Sequence, residues 1–422
     1  MTAFPSRPLT RRLAPGLLPL AALLPLAGNG WASEGGFIDD ASLNLGLRNL
    51  YFNRDFRQGG AAQSRQEEWG QGFLLQARSG YTGGAVGLGV DLLGQLGLKL
   101  DSSPDRAGSG VLPRHDDRRA ADDWSRLGAA LKFRVSASEL KVGELMPELP
   151  VLLRNDGRLL PQTFQGAMLG VREWQGLTLQ GGQMRSVSQR NSSDMEDLSL
   201  EGRGGVFSDR FNYAGAEYRF NEGRSQVGLW QAQLQDIYRQ SHLGFSHQAS
   251  LAGWALNGSL LYFDGREDGN QRLGDLDNRA FSAFAMARRS GHGLGLGYQR
   301  MYGDDGMLQV AGTSTPLAND VQVRNFASPE ERSWQLRYDY DFSALGLPGL
   351  TLMGRYLHGD HAATATGREG RTWERDLDLA YVVQSGPLKN LGLRWRNATL
   401  RSNHLADVDE NRLILSYSLA LD

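Results

Sequence analysis

Apolar and polar residues alternate along much of this chain. Between Val86 and Leu100, apolar side chains occupy nearly every even position, while glycine, polar and charged residues occupy most odd positions. A period of two is typical of a β-strand with one apolar and one polar face, because successive side chains point to opposite sides. The same alternation recurs in segments 126–135, 333–342, 391–396 and 412–421. The pattern therefore predicts an all-β protein.

The predicted strands are long enough to cross a membrane. They run to about ten residues or more, as a tilted strand in a bilayer requires, whereas strands of a soluble β-sandwich average about 5–6 residues. Tyrosine and tryptophan lie near many strand ends, as in the aromatic girdles of outer-membrane barrels. We therefore predict a single transmembrane antiparallel β-barrel and keep the sandwich as the alternative.

The connections predict the number of strands. Eight short, turn-like breaks alternate with nine longer polar connections along the chain. A barrel with both termini on the periplasmic side has one more outer loop than inner turns, so these connections predict about 18 strands. The segment 226–234 alternates poorly and is the weakest element of this count. A barrel of this width encloses a water-filled lumen unless something fills it.

The N-terminus has the pattern of an export signal. Arg7, Arg11 and Arg12 precede an apolar stretch at 13–27, and small residues flank position 31. This arrangement predicts a cleaved signal peptide at residues 1–32 and a porin domain at residues 33–422, without a plug domain. The stretch is too short and too rich in proline for a membrane anchor, and no later segment reaches the length of a transmembrane helix.

Composition excludes several classes of protein. The 422 residues contain 45 Lys+Arg, 47 Asp+Glu and no cysteine. The absence of cysteine excludes disulfides, cysteine nucleophiles and cysteine-ligated zinc, and the balanced charge gives no basis for a nucleic-acid partner.

Three pairs of adjacent residues suggest an outer-membrane hydrolase as an alternative function. They are Ser241-His242, Ser246-His247 and Asp360-His361. Neighbours on a strand point to opposite faces, which argues against cooperation within each pair. We predict no enzyme activity, no cofactor and no metal site.

Arginine dominates the charged positions on the polar faces of the predicted strands. A charge facing lipid near mid-bilayer costs about 2–4 kcal/mol, so these side chains are expected to face the lumen. They are Arg48, Arg78, Arg126, Lys132, Arg134, Arg172, Arg337, Arg355, Arg394, Arg396 and Arg412. The acids on the same faces are fewer: Asp91, Asp339, Asp341, Asp376 and Asp378. A positive lining favours anions, and guanidinium matches carboxylate through two parallel hydrogen bonds. The alternative is that these arginines only pair with loop acids.

The third long connection, residues 144–165, is unusually apolar and contains Pro147, Pro150 and Pro161. A leucine-rich loop avoids water, so we expect it to fold into the lumen and narrow it. There it would place Arg154, Asp156 and Arg158 near the pore axis. The alternative is that this loop packs on a neighbouring subunit.

Four stretches resemble the OprD-like outer-membrane carboxylate channels of pseudomonads, the Occ family. They are NRDFRQ (53–58), ELMPELPVLLRNDGRLLPQTFQGAMLGVREWQGLTLQGGQ (144–183), RNSSDMEDL (190–198) and NATLRSNHLADVDENRLILSYSL (397–419). The stretch Arg158–Gly166 is the most specific. The resemblance implies an eighteen-stranded, substrate-specific channel with an infolded third loop and an arginine ladder along one wall. It also implies solutes that carry a carboxylate.

The resemblance assigns roles to particular residues. The ladder carries over to Arg337, Arg355, Arg394, Arg396 and Arg412, and further to Arg158 and Arg172, with Asp156 as the acid facing them. The loop resembles the OccK branch, associated with monocyclic aromatic carboxylates, more than the OccD branch, associated with basic amino acids.

We therefore expect passive uptake of small carboxylates across the outer membrane of a Gram-negative bacterium. The expected state is a monomer or a loose homotrimer in contact with outer-membrane lipid and lipopolysaccharide. The alternatives are a general, non-selective diffusion porin and a channel for basic amino acids or peptides.

Overall fold

A computed structural model describes residues 36–57, 61–364 and 367–421, so the predicted signal peptide lies outside the described residues. Eighteen strands form one sheet in which each strand pairs with its neighbours in the chain. The first strand also pairs antiparallel with the last, from Asn44 opposite Ala420 to Phe56 opposite Val408, which closes the barrel. The prediction of an all-β, eighteen-stranded antiparallel barrel is confirmed.

The barrel strands have the following bounds: β1 Ser42–Phe56, β2 Arg65–Arg78, β3 Gly87–Asp101, β4 Asp123–Val135, β5 Ser138–Leu145, β6 Thr163–Trp174, β7 Leu177–Ser188, β8 Phe211–Phe220, β9 Ser225–Leu234, β10 Tyr238–Leu251, β11 Trp254–Glu267, β12 Asp277–Arg289, β13 His292–Tyr302, β14 Arg332–Asp341, β15 Leu350–Thr364, β16 Gly367–Val382, β17 Gly392–Ser402 and β18 Val408–Ala420. Two short hairpins lie in the loops, Glu148–Leu149 with Leu152–Leu153 and Leu198–Leu200 with Arg203–Ser208.

The period of two separates a lipid face from a lumen face. On β13, Leu294, Leu296 and Tyr298 are 51%, 64% and 42% exposed, whereas the residues between them are buried. Large exposed apolar side chains recur on the outside of most strands. Such a belt is stable only against lipid, because water would leave its apolar surface hydrated.

The two ends of the barrel differ in their connections. One end has turns of two to nine residues, including a short 3-10 helix at Phe342–Leu345, and the other end has the long loops. The longest are the second loop (102–122), the third loop (146–162), the fourth loop (189–210) and the seventh loop (303–331). No helix in the described part of the chain is long and apolar enough to cross a membrane.

The third loop folds into the lumen, as predicted. Leu159 and Leu160 are at most 2% exposed and pack in a cluster with Phe52 of β1. The loop approaches β2 so closely that a Cβ at Gly72 would lie 2.9 Å from the Leu159 carbonyl oxygen. Glycine is therefore required at that position of the wall. Gln95 of β3 donates to the Pro161 carbonyl over 2.9 Å.

The fourth and seventh loops also lie in the lumen, which the sequence reasoning missed. Leu200 of the fourth loop forms a bridge with Val310 of the seventh, and Leu153 of the third loop forms another with Ser314. Leu152 of the third loop, Leu200 and Val310 belong to one buried cluster that includes inward residues of β7–β10. The constriction is therefore built from several loops rather than one, since the second loop also packs on Leu159 and Leu160.

Candidate functional site

One wall of the lumen carries the predicted arginine ladder. It is formed by the inner faces of β14–β18, whose pairing places guanidinium groups side by side. Arg337 lies opposite Arg355, and Arg396 lies opposite Arg412. Arg394 precedes Arg396 by two residues on β17 and therefore shares its face. The structure thus brings five predicted residues onto one continuous wall.

The arginines of this wall pair with carboxylates of the wall itself. Arg337 Nε donates to Asp339 Oδ1 over 2.8 Å. Arg355 Nε donates to Asp376 Oδ2 over 2.6 Å, and Asp376 is completely buried. Glu410, also completely buried, was not among the expected lumen acids. Arginine and carboxylate therefore alternate along this wall, where Glu410 joins the expected acids Asp339, Asp376 and Asp378.

Asp378 serves two arginines, so positive charge remains in surplus at this point of the wall. Arg394 donates through Nε to Oδ1 over 2.8 Å and through Nη2 to Oδ2 over 2.5 Å. Arg396 Nε lies 3.3 Å from the same Oδ2, yet that nitrogen has no hydrogen-bond partner among the described residues. Two guanidinium groups around one carboxylate leave N–H donors for another oxygen ligand.

Arg412, which was predicted as a solute-binding residue of the ladder, binds the wall and the loops in the structure and acts as a clamp between them. Its Nε donates to Glu410 over 2.6 Å, its Nη1 to the Gly157 carbonyl over 3.3 Å and its Nη2 to the Gln322 carbonyl over 2.9 Å. The residue is only 2% exposed. Arg412 therefore ties the wall to the third and seventh loops, and it contributes mainly its charge to the lumen.

The guanidinium group of Arg158 lies near the Phe52 ring, as do those of Arg54 and Arg412. The guanidinium carbons lie 5.4, 4.8 and 5.4 Å from the Phe52 ring centroid for Arg54, Arg158 and Arg412. Cation–π attraction offsets part of the repulsion between the three like charges. Burial, together with repulsion from Arg412 and Arg190, holds the pKa of Arg158 well below its usual range. The structure thus places Arg158 beside the ladder, as the resemblance implied.

Arg154 and Asp156 form ion pairs that fix the third loop. Asp156 Oδ1 accepts a hydrogen bond from Arg48 Nη1 of β1 over 2.7 Å. Arg154 Nη2 donates to Glu148 over 2.5 Å, and its Nη1 lies 4.0 Å from Asp156. Asp156 is therefore paired with Arg48, while the neighbouring Gly157 carbonyl accepts from the ladder residue Arg412.

Arg172 lies away from the ladder. It belongs to β6, nine strands from β15 in a ring of eighteen. It lines a small cavity together with Arg78, Asp91 and Lys141. Within the described residues, Arg172 forms no hydrogen bond or ion pair, and it is exposed. The structure therefore does not bring Arg172 to the wall of Arg337–Arg412.

The third, fourth and seventh loops leave a cavity of about 550 Å³ against the arginine wall, which we call the central cavity. Its charged lining residues are Arg158, Arg190, Glu201, Asp320, Arg324, Arg396 and Arg412. Five cations against two acids favour an anionic solute, and the low-dielectric walls strengthen this preference.

Arg190 of the fourth loop is a cation of this cavity that lacks a carboxylate partner. Among the described residues it forms no hydrogen bond and no ion pair. Burial and repulsion from Arg412, opposed by Glu201, lower the pKa of Arg190 to about 10. The side chain therefore stays protonated at neutral pH, and its charge is poorly satisfied by protein. Sequence reasoning missed Arg190, although it begins the RNSSDMEDL stretch.

The two acidic partners available to the cavity are weakened or engaged elsewhere. Asp320 Oδ2 accepts hydrogen bonds from the backbone N and Oγ1 of Thr315 over 2.9 and 3.0 Å. Burial nevertheless raises the pKa of Asp320 above its usual value. Glu201 Oε2 accepts from the Gly312 backbone N over 2.6 Å. The cavity therefore keeps a net attraction for anions.

The sequence model of a protein family, described as "outer membrane porin, OprD family", matches residues 35–421 of this chain. The chain belongs to the OprD family. It is 73% identical to the solved structure of Pseudomonas aeruginosa OccK9 (OpdG), with a TM-score of 0.91, covering 92% of this chain and 100% of that one. This similarity confirms the resemblance to the OccK branch. The protein is accordingly a porin of the outer membrane.

Two further solved structures of similar proteins contain a bound solute. Pseudomonas aeruginosa OpdK with vanillate is 48% identical, with a TM-score of 0.88, and covers 92% of this chain and 100% of that one. Pseudomonas aeruginosa OccK2 (OpdF) in complex with glucuronate is 49% identical, with a TM-score of 0.85 and the same coverage. OprD-family membership makes the protein a channel for small molecules and not an enzyme.

The pairs that suggested a hydrolase differ in their geometry. His361 Nδ1 lies 2.6 Å from Asp360 Oδ1, so the expectation that neighbours do not cooperate is wrong for this pair, because the strand is irregular there and His361 has a φ of 60°. Ser241 donates to Gln231 over 3.0 Å, whereas the adjacent His242 is buried and stacks on Phe263 at 4.1 Å. The two members of this pair thus point to opposite faces, as predicted. Across residues 36–57, 61–364 and 367–421, no group of three or more His, Cys, Asp or Glu residues is placed to hold a metal ion.

Proposed function

We propose that the protein mediates passive, selective uptake of small carboxylates, with selection in the central cavity. The observation that carries this proposal is the pair of incompletely satisfied cations at the cavity. Arg190 has no carboxylate partner among the described residues, and Arg396 shares Asp378 with Arg394. A solute carboxylate supplies the oxygen ligands that these guanidinium groups lack.

The surrounding acids keep such binding weak enough for transport. Flux through a channel requires that each site attract the solute and also release it. Asp378 already accepts hydrogen bonds from Arg394, and Glu201 opposes the positive charge of Arg190. Arg394, whose side chain is 50% exposed, is the next cation towards the inner turns. We propose that it receives the carboxylate from Arg396.

We assign different roles to the other predicted residues. Arg337 and Arg355, each paired with a wall carboxylate, continue the row of guanidinium groups along the wall, while Arg412 and Arg158 hold the loops and add charge. Arg154 and Asp156 fix the shape of the third loop. Arg172, exposed on the far side of the barrel, attracts anions to the inner end of the lumen.

The solutes in the related structures agree with a carboxylate class. Vanillate and glucuronate both carry one carboxylate, but only vanillate contains an aromatic ring. We propose that monocyclic aromatic carboxylates are among the substrates, because the central cavity is large enough for one ring and Val321 and Val323 line it beside the arginines.

Proteoliposome uptake tests the proposal with two pairs of solutes of nearly equal shape. Benzoate is compared with benzamide, and glucuronate with glucose, after subtraction of uptake into protein-free vesicles. Faster entry of both anions supports carboxylate selection, and a larger advantage for benzoate supports an aromatic preference. Equal entry within both pairs would instead indicate a general diffusion porin.

A charge reversal at the wall gives a second test. Arg394→Glu places a carboxylate beside Asp378 and should slow both anions while glucose entry is unchanged. If glucose and glucuronate slow together, the substitution merely blocks the lumen and the ladder role is wrong.

We also propose that residues 1–32 are removed on export and that residues 33–422 form the mature porin domain. N-terminal sequencing of protein from outer membranes is expected to begin at Ser33. A sequence beginning at Met1 would overturn this proposal.

A further inference from the structure

A group of arginines lies on the lipid-facing surface of the barrel, outside the channel. Arg279 of β12, Arg300 of β13 and Arg332 of β14 occupy outward positions near the strand ends that join the outer loops. Arg300 lies directly opposite Arg332, and Arg279 lies opposite Tyr302. We call Arg279, Arg300, Arg332 and Tyr302 the outer arginine patch.

The strand register places the side chains of Arg300 and Arg332 next to each other. Residues opposite each other in an antiparallel pair have neighbouring side chains, and like charges there repel. Arg332 Nε lies 3.2 Å from Asp360 Oδ1, and its Nη2 contacts the His361 ring at 2.6 Å. Arg300 forms no hydrogen bond or ion pair with the part of the chain that the structure describes, and its guanidinium lies 4.5 Å over the Tyr302 ring. The pair therefore carries an uncompensated positive charge.

The third cation is also only partly satisfied. Arg279 Nε lies 3.8 Å from Asp277 Oδ1, but the same oxygen is 2.6 Å from Arg266 Nη1. Arg279 Nε is buried and has no hydrogen-bond partner among the described residues. The Arg279 side chain is 42% exposed, so an anionic ligand can reach guanidinium donors for which the described residues supply no acceptor.

The position of the patch identifies the anion. Immediately towards mid-membrane on the same face lie Phe281, Tyr298 and Trp334, followed by Leu296 and Leu336. Aromatic girdles mark the level of lipid headgroups, and the apolar belt below marks the acyl chains. Arginine at the headgroup level is favourable when it meets an anionic headgroup. The outer-loop end of the barrel places this level in the outer leaflet.

We propose that the outer arginine patch binds a phosphate group of a glycolipid in the outer leaflet. Phosphate oxygens accept parallel hydrogen bonds from guanidinium groups, and a phosphate between Arg300 and Arg332 removes their mutual repulsion. The acyl chains of the same lipid cover the leucines below. This inference is independent of the proposed transport function, because none of these side chains faces the lumen.

Native mass spectrometry of the detergent-solubilised full-length protein tests the site with lipid A and with its dephosphorylated form. Arg279→Gln/Arg300→Gln should reduce the fraction with bound lipid A on the order of tenfold or more. The matched control is Arg289→Gln, on the same strand beside Trp254 but at the inner turn, and its lipid A binding should be unchanged. Inorganic phosphate at millimolar concentration should not displace the lipid.

Three results would overturn the proposal. They are unchanged lipid A binding by the double variant, equal losses in the double variant and the control, and equal binding of dephosphorylated lipid A by the unmodified protein. Unchanged glucuronate uptake by the double variant establishes that the barrel is intact.

Discussion

The two sides of the lumen differ in their chemistry. On the side of β7–β10, inward residues such as Phe211, Trp230 and Tyr238 are at most 2% exposed and join the apolar cluster of the third, fourth and seventh loops. On the side of β14–β18, inward residues alternate between arginine and carboxylate. The loops are therefore anchored to one side, and the open space remains against the other.

The apolar side of the lumen positions the loops, and the charged side selects the solutes. Burial of apolar side chains is favourable, and the buried side chains are closely packed. The apolar cluster therefore fixes the loops firmly and sets the size of the opening. Paired charges in a narrow aqueous space bind solutes weakly and reversibly, so they select what passes. Variants on each side should therefore affect different properties of the channel.

The largest expected effect is on the apolar side. Trp230 is buried and packs over Gly215, where a Cβ would lie 2.2 Å from its ring. Trp230→Ala should destabilise the protein by about 3–5 kcal/mol, measured as urea-induced unfolding. It should also raise single-channel conductance, because the loops lose their anchor.

A matched control is Trp334→Ala, whose side chain lies on the lipid face and is 46% exposed. It should leave conductance unchanged. Higher conductance in the control and not in Trp230→Ala would show that the apolar cluster does not position the loops.

The second effect concerns the clamp on the charged side. Glu410 accepts hydrogen bonds from Arg54, Arg412 and Gln322. Glu410→Gln should cost about 3 kcal/mol, because it leaves two buried guanidinium groups without their anion. The expected readouts are a lower urea midpoint and larger current noise as the third and seventh loops loosen. Unfolding and noise equal to those of the unmodified protein would contradict the clamp.

The third effect concerns selection alone. Arg190→Gln removes a cavity cation that makes no ion pair with described residues, so stability should change little. Carboxylate uptake should fall about tenfold, the loss of roughly one charged hydrogen bond to the solute, while glucose uptake should stay constant. A fall in stability with unchanged selectivity would assign Arg190 a structural role instead.

The smallest expected effect depends on pH. Burial raises the pKa of Asp320, so its ionised form is disfavoured in the folded protein. The favourable contribution of the protonated form is present at acidic pH and is lost as pH rises through the folded-state pKa. Asp320→Asn should therefore stabilise the protein at pH 7 by up to about 1 kcal/mol, and the gain should vanish near pH 4, as followed by urea unfolding. Equal gains at both pH values would exclude titration of Asp320 as the cause.

Sequence periodicity predicts the wall better than the contents of the lumen. Leucine and proline in the third loop reveal its infolding, because an apolar loop has to be buried. The seventh loop gives no such signal, since its backbone is held by wall glutamines: Gln240 donates to Leu308, Gln299 to Phe326 and Gln335 to Ala318.

In the candidate site, too, sequence periodicity predicts which side of the wall a residue faces but not which contacts it makes. Period two places Arg394, Arg396 and Arg412 on one inner wall, but it cannot distinguish the clamped Arg412 from the available Arg396. That difference depends on loop carbonyls far away in the sequence, such as those of Gly157 and Gln322. Arg190 was missed because it lies on a loop, where no periodicity assigns a direction.

The most direct test of the account is the ratio of glucuronate to glucose entry into proteoliposomes, for the unmodified protein and for Arg190→Gln. The account predicts a ratio above one for the unmodified protein and a ratio close to one for the variant. A ratio of one for the unmodified protein would contradict carboxylate selection. An unchanged ratio in the variant would remove Arg190 from the selective site.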